Sequence, residues 1–169
     1  MTPNKDAVAA FPGDHHDHGH CIDDALRQAE AICAKRGARL TTLRRRVLEL
    51  IWASHAPVGA YEVLRRLSQE HERAAPPTVY RALDFLLAHG LIHRIESLNA
   101  FVGCGDPADE HAGQFLICDD CGAAAELQDR RISKAITEGA RKTGFAVARS
   151  TVEVRGLCPG CRDTKDKHE

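Results

Sequence analysis

Two cysteine pairs constrain this chain more than any other feature. Cys118 and Cys121 stand in "FLICDDCG", and Cys158 and Cys161 stand in "LCPGC", forty residues further on (158 − 118). Two residues between cysteines let both sulfurs reach one ion from a tight turn, and two such turns complete a closed tetrahedral four-sulfur site. Whatever this half folds into must therefore bring two distant turns together. Gly122 and Gly160 are expected to supply the backbone freedom of the two turns. A closed site of this kind contributes folding free energy, which a small unit with little core needs.

The metal reading depends on compartment. No apolar run approaches the roughly 20 residues of a membrane span. The start, "MTPNKDAVAAFPGDHHDHGH", has neither the charged beginning nor the continuous apolar core of a secretory signal. A cytoplasmic location is expected, with no membrane partner, and there thiols stay reduced. The seven cysteines are then read as ligands and free thiols rather than disulfides. Tetrahedral sulfur suits zinc or iron, and "CDDCG…LCPGC" is similar to rubredoxin, so an iron–sulfur electron carrier is an alternative of a different class. A zinc-dependent base deaminase is excluded, because its signature needs H-x-E followed by P-C-x-x-C. No enzyme activity and no small-molecule substrate are expected.

The first half has a helical period. Ile22, Leu26, Ala29 and Cys33 share one face, and Gly37 is a stop signal. A second helix follows Thr41 or Thr42 as N-cap, with Val47, Leu48 and Ile51 inward. A third runs from about Ala60, with Val63, Leu64 and Leu67 on one side. The fourth is the clearest: Val79, Ala82, Leu83, Leu86 and Leu87 fall at i, i+3, i+4, i+7 and i+8 between Pro77 and Gly90. "LIHRIES" and "NAFVG" then predict two short strands around Leu98-Asn99.

Helices followed by a hairpin are the element order of a winged helix-turn-helix. The outward face of the fourth helix carries Thr78, Tyr80, Arg81 and Asp84. Arginine at such a position can bond bidentately to guanine, and Tyr80 can press on a thymine methyl. The same face equally describes an ordinary solvated helix. Charge gives a small push toward DNA: Ile22 to Leu98 carries 12 Lys/Arg against 9 Asp/Glu, while the flanking segments are net acidic.

The second half alternates. "QFLIC", "AAAEL" and "FAVARSTVEVRGLC" have strand character, separated by a helix from about Asp129 to Thr143 that Gly144 caps. The expected fold class is α+β: a winged helix-turn-helix domain at 22–103, a hinge at 104–113 and a small α/β dimerisation and zinc-binding domain at 114–162. A disordered His-rich tail at 1–21 and a C-terminal tail at 163–169 complete the division.

"AICAKRGARLT", "APPTVYRALDFLLAHGLIHRIES" and "FLICDDCG" with "GLCPGC" resemble the ferric uptake regulator superfamily, specifically its zinc uptake regulator branch, from about Asp24 to Arg162. The resemblance implies a homodimeric bacterial repressor of zinc uptake genes that binds operator DNA when loaded with zinc. It implies two zinc ions per subunit: a structural one on Cys118, Cys121, Cys158 and Cys161, and a regulatory one on His93, Cys104, His111 and Glu126. Mixed nitrogen, sulfur and oxygen ligands suit zinc, although each of the four has an ordinary reading as a surface or core residue. The expected DNA-facing set is Tyr61, Thr78, Tyr80 and Arg81.

An iron or manganese sensor is the alternative within the superfamily. The ferric branch places an H-H-D-H run just before the first C-x-x-C. Here "DEHAGQF" stands there with His111 alone, which favours zinc. "LTTLRRR" lacks the usual proline after the first threonine. His15, His16, His18 and His20, with Cys21, are a weak metal-capture tract at most, and Cys33 is expected to pack.

Overall fold

The first four helices bury the stripes that their periodicity marks. α1 (His18–Lys35) turns Leu26, Ala29 and Cys33 inward, and α2 (Thr42–Trp52) buries Val47, Leu48, Leu50 and Ile51. α3 (Ala60–Glu70) contributes Val63 and Leu67, and α4 (Pro76–Ala88) contributes Val79, Ala82, Leu83 and Leu86. Their starts follow capping chemistry. The Thr41 hydroxyl accepts from Arg44 N at 3.4 Å, and α4 opens on two prolines whose missing N–H groups are orphans there anyway. The Arg44 guanidinium lies 3.6 Å over the Phe85 ring, which stacks on His89, so α2 is braced against the end of α4.

This computed structural model describes residues 11, 18–54, 56–70, 75–108 and 111–165, and the chain divides into two units, residues 12–110 and residues 111–169 together with residue 11. Among the described residues, the first unit ends in a three-stranded antiparallel sheet of order β1-β3-β2: β1 (Val58–Gly59), β2 (Ile92–Ile95) and β3 (Ala100–Gly103). A 3-10 turn at Glu96–Leu98 and a left-handed Asn99 reverse the chain between β2 and β3, where asparagine tolerates positive φ. β1 pairs Val58 with Phe101. Two residues carry no readable period, so β1 was not foreseeable from the sequence.

The second unit contains β4 (Gly113–Cys118), β5 (Ala124–Glu126), α5 (Arg130–Lys142), β6 (Thr151–Gly156) and α6 (Pro159–Lys165), with strand order β5-β4-β6. β5 runs antiparallel to β4, and β6 runs parallel to it. Parallel neighbours need a long crossover, which β5 and α5 supply. The Asp129 carboxylate caps α5 by accepting from Arg131 N at 2.8 Å. Gln114 Nε2 donates to Asp129 O at 3.0 Å and to Ser133 Oγ at 2.9 Å, tying β4 to that helix.

Four element bounds differ from those expected, the first at Gly113, expected in the hinge but paired with Thr151 as the first residue of β4. α1 begins at His18, four residues before Ile22, because an exposed first turn needs no apolar period. His20 and Arg27 both reach Asp24 along it. Phe145 to Ser150 form no strand: the ladder on β4 starts at Gly113↔Thr151, so earlier residues have no edge to pair with. Asp163 and Thr164 belong to α6 rather than to a tail. The rest of the expected N-terminal tail apart from residue 11, including His15 and His16, and residues 166–169 lie outside the described residues.

Candidate metal centres and DNA-facing helix

The parallel pairing of β4 with β6 brings the cysteine pairs together. Each pair lies at or just past the C-terminal end of its strand, and the register Cys118↔Gly156 sets those ends side by side. An antiparallel pairing would have set them about 20 Å apart, the length of a six-residue strand. The Sγ atoms of Cys118, Cys121, Cys158 and Cys161 all lie within 4.8 Å of one another, and Cys121 Sγ stands 3.8 Å from Cys158 Sγ. A tetrahedral ion with sulfur at about 2.3 Å requires edges of about 3.8 Å. The donor set fits such an ion.

Each knuckle is shaped locally. Gly122 sits at φ +73°, its N–H donating to Cys118 O at 3.1 Å, while Cys118 N donates to Ala123 O at 2.8 Å. That conformation favours glycine. The expectation for Gly160 is corrected: it lies inside α6, in ordinary helical backbone, because the second knuckle is closed by a helix start rather than a glycine turn. Asp119 N donates to Gly156 O at 2.8 Å, and Arg155 Nε donates to the Asp119 carboxylate at 2.7 Å, locking the two strand ends. No local pattern signals this ion pair, whose partners are 36 residues apart.

The Cys158 backbone N–H, 3.4 Å from Cys118 Sγ, and the Cys121 N–H hold the Cys118 thiol down to about 6. The Cys161 thiol is pushed up, first by the sulfur of Cys158 beside it and then by burial. The cluster thus accepts its first negative charge at Cys118, and a divalent ion held there would stabilise the remaining thiolates.

The other four expected ligands form one pair in each unit. In the winged-helix unit, His93 faces Val102 across the antiparallel β2–β3 ladder, and Cys104, two residues past Val102, is its diagonal neighbour on the same face. Their ligand atoms lie within 4.8 Å of each other, and Cys104 N extends the ladder by donating to Leu91 O at 3.1 Å. Cys104 is buried and His93 half-buried. In the second unit, His111 Nε2 meets Glu126 Oε1 at 2.5 Å, on a Glu126 side chain only 7% exposed. One pair offers nitrogen and sulfur, the other nitrogen and oxygen. Both are sets that zinc accepts. Cys33 belongs instead to the hydrophobic cluster of the winged-helix unit, where burial raises its pKa and leaves it a packing residue.

On α4, Tyr80 and Arg81 are exposed and Thr78 is half-buried; Tyr61, at the start of α3, is 79% exposed. Other arginines of this unit are ion-paired within it: Arg46 with Glu49 and Glu70, while Arg65 and Arg66 share Glu62. Among the described residues Arg81 has no carboxylate partner, which leaves its guanidinium available to an outside anion or base edge.

A winged helix joined to an α/β unit closed around four thiols defines the architecture of a metal-linked winged-helix regulator. The chain belongs to the ferric uptake regulator family, whose model matches residues 35–155. It is 41% identical over 141 residues to the zinc uptake regulation protein of Escherichia coli strain K12, covering 82% of this chain and 81% of that protein. Among solved structures it is similar to a zinc uptake regulator complexed with zinc and DNA, at a TM-score of 0.82 and 39% identity over 86% of this chain and 97% of that one. It is also similar to holo XcZur, at a TM-score of 0.78 and 46% identity over 83% and 99%.

Proposed function

We propose that this protein is a zinc-responsive transcriptional repressor that binds operator DNA as a zinc-loaded homodimer and controls zinc uptake genes. The observation that carries this reading is the division of the mixed-ligand set: His93 and Cys104 stand in the winged-helix unit, and His111 and Glu126 stand in the other. An ion taking all four makes the arrangement of the two units depend on zinc, whereas the four-cysteine ion belongs wholly to one unit and serves stability. Two zinc ions per subunit follow. The hydrogen bond between His111 and Glu126 and a shared ion are alternatives, since two such ligands on a tetrahedral zinc sit about 3.3 Å apart. Zinc therefore competes with a proton there, and binding weakens as pH falls.

Dimerisation rests on the surface of the second unit. α5 buries no residue completely; Ile132, Ile136 and Ala140 form a half-buried stripe at i, i+4 and i+8. Phe145, Val154 and Leu157 are 67%, 48% and 41% exposed. A second copy of this unit covers such a face. Among the described residues no helix is long and apolar enough to cross a membrane, and a cytoplasmic regulator rather than an enzyme is the role that fits. The ferric or manganese alternative and the rubredoxin-like carrier are tested together by metal analysis. Protein purified without added metal is expected to be colourless and to carry zinc.

The decisive experiment measures operator binding against buffered free zinc, at one salt concentration because phosphate contacts make affinity salt-dependent. Binding should rise with zinc, and binding independent of zinc would overturn the sensor reading. Within that assay, Arg81→Ala should cost about 1–3 kcal/mol and relax preference at one operator position. An equal loss on operator and random DNA would make Arg81 a phosphate contact instead.

A further inference from the structure

Trp52, the only tryptophan of the chain, ends α2 and packs half-buried against the winged-helix core. Its indole lies across the backbone of Gly103 in β3. A Cβ at position 103 would stand 2.2 Å from Trp52 Cε2, 2.4 Å from Nε1 and 2.7 Å from Cδ2, contacts that no real side chain makes. Gly103 is therefore glycine because a ring occupies its side-chain space. The indole N–H is buried and finds no hydrogen-bond partner among the described residues. A group left that way carries a desolvation cost, so hydrogen bonding does not account for the ring's place.

What lies beyond the contact accounts for it. Gly103 immediately precedes Cys104, and its partner across the ladder, Ile92, immediately precedes His93. The ring thus bears on the rung next to both metal-binding side chains of the wing. We infer that Trp52 is a positioning residue for the mixed-ligand zinc: the flat indole against a bare Gly103 sets where β3 runs, and hence where the Cys104 thiolate points. This rests on the reading of His93 and Cys104 as ligands. Residues that support metal ligands without touching the ion commonly change affinity by about 10–100-fold.

The test uses the full chain with zinc buffered by a competing chelator. Gly103→Ala should lower affinity for the weaker-bound zinc about tenfold or more and leave the four-cysteine zinc in place. The double variant Trp52→Leu with Gly103→Ala, which vacates the ring's space and fills it with a methyl, should recover most of that loss. In the parent, Trp52 fluorescence should change as the second zinc equivalent binds. Unchanged affinity in Gly103→Ala, with melting lowered, would reduce the contact to core packing and overturn the inference. Should Gly103→Ala not fold, the parent decides: a fluorescence signal that ignores the second equivalent overturns it equally. Cys104→Ser separates the two readings. If that variant also binds the second zinc normally, the ligand assignment has failed; if it binds poorly while Gly103→Ala binds normally, only the role of Trp52 has.

Discussion

Cys104→Ser should remain a folded dimer, keep its four-cysteine zinc and lose operator binding at zinc concentrations that saturate the parent. Serine replaces a soft thiolate with a hydroxyl, a poor partner for zinc. The side chain it replaces is 3% exposed at the end of β3, and the exchange changes volume little. Melting should therefore move little. In the proposed reading the mixed-ligand ion is weakened, so the state competent for DNA is populated only at higher free zinc. Apparent operator affinity falls in proportion to that population. A tenfold to hundredfold shift of the zinc midpoint is the expected scale. Superimposed binding curves for parent and Cys104→Ser would remove Cys104 from the sensor.

Cys118→Ser should have the opposite profile, with loss of structure first and loss of DNA binding as its consequence. The buried hydrophobic cluster belongs entirely to the winged-helix unit. In the second unit, Phe115 and Ile117 are the only large apolar side chains buried among the described residues. So small a buried apolar core leaves this unit dependent on its metal for folding free energy. A structural zinc contributes an apparent 10–16 kcal/mol near neutral pH. Cys118 is also the ligand that the Cys158 and Cys121 N–H groups favour as thiolate, so its loss removes the site's first anchor. The variant should be monomeric, with strand signal lost from circular dichroism while the helical unit still melts cooperatively. A dimeric Cys118→Ser protein with the parent's melting curve would show that the four thiols do not hold this unit together.

The two substitutions separate the zincs by their consequences. Chelation should reproduce the same order: a mild chelator strips the mixed-ligand ion and releases DNA, and only a strong one unfolds the second unit. Acidification should follow the same sequence for the same reason, since every ligand must give up a proton to bind.

Much of this was written in local pattern. The period of Val79, Ala82, Leu83 and Leu86 fixed which face of α4 is buried and so which residues, Tyr80 and Arg81, face outward. The start of α2 was legible to within one residue, at Thr41 or Thr42, and that of α5 at about Asp129, because capping is decided within four residues. The spacing of Cys118 with Cys121, and of Cys158 with Cys161, declared a metal because two residues are what a two-ligand turn requires. These are short-range matters, and sequence neighbours settle them.

Tertiary structure decided what depends on residues far apart. Cys33 and Cys104 are both single cysteines among apolar residues and are buried to nearly the same degree, at 2% and 3% exposure. One lies in the hydrophobic cluster and the other beside His93. Nothing local distinguishes them, because a thiol is a small hydrophobe or a ligand according to what stands next to it. The two knuckles meet because β6 lies parallel to β4, a choice of topology rather than of spacing. Phe145 to Ser150 have strand composition but no strand, since β propensity is realised only where an edge is available. In the sequence Gly103 is simply the last residue of the expected strand "NAFVG"; only the fold, by laying Trp52 across it, shows that the missing side chain makes room for a ring.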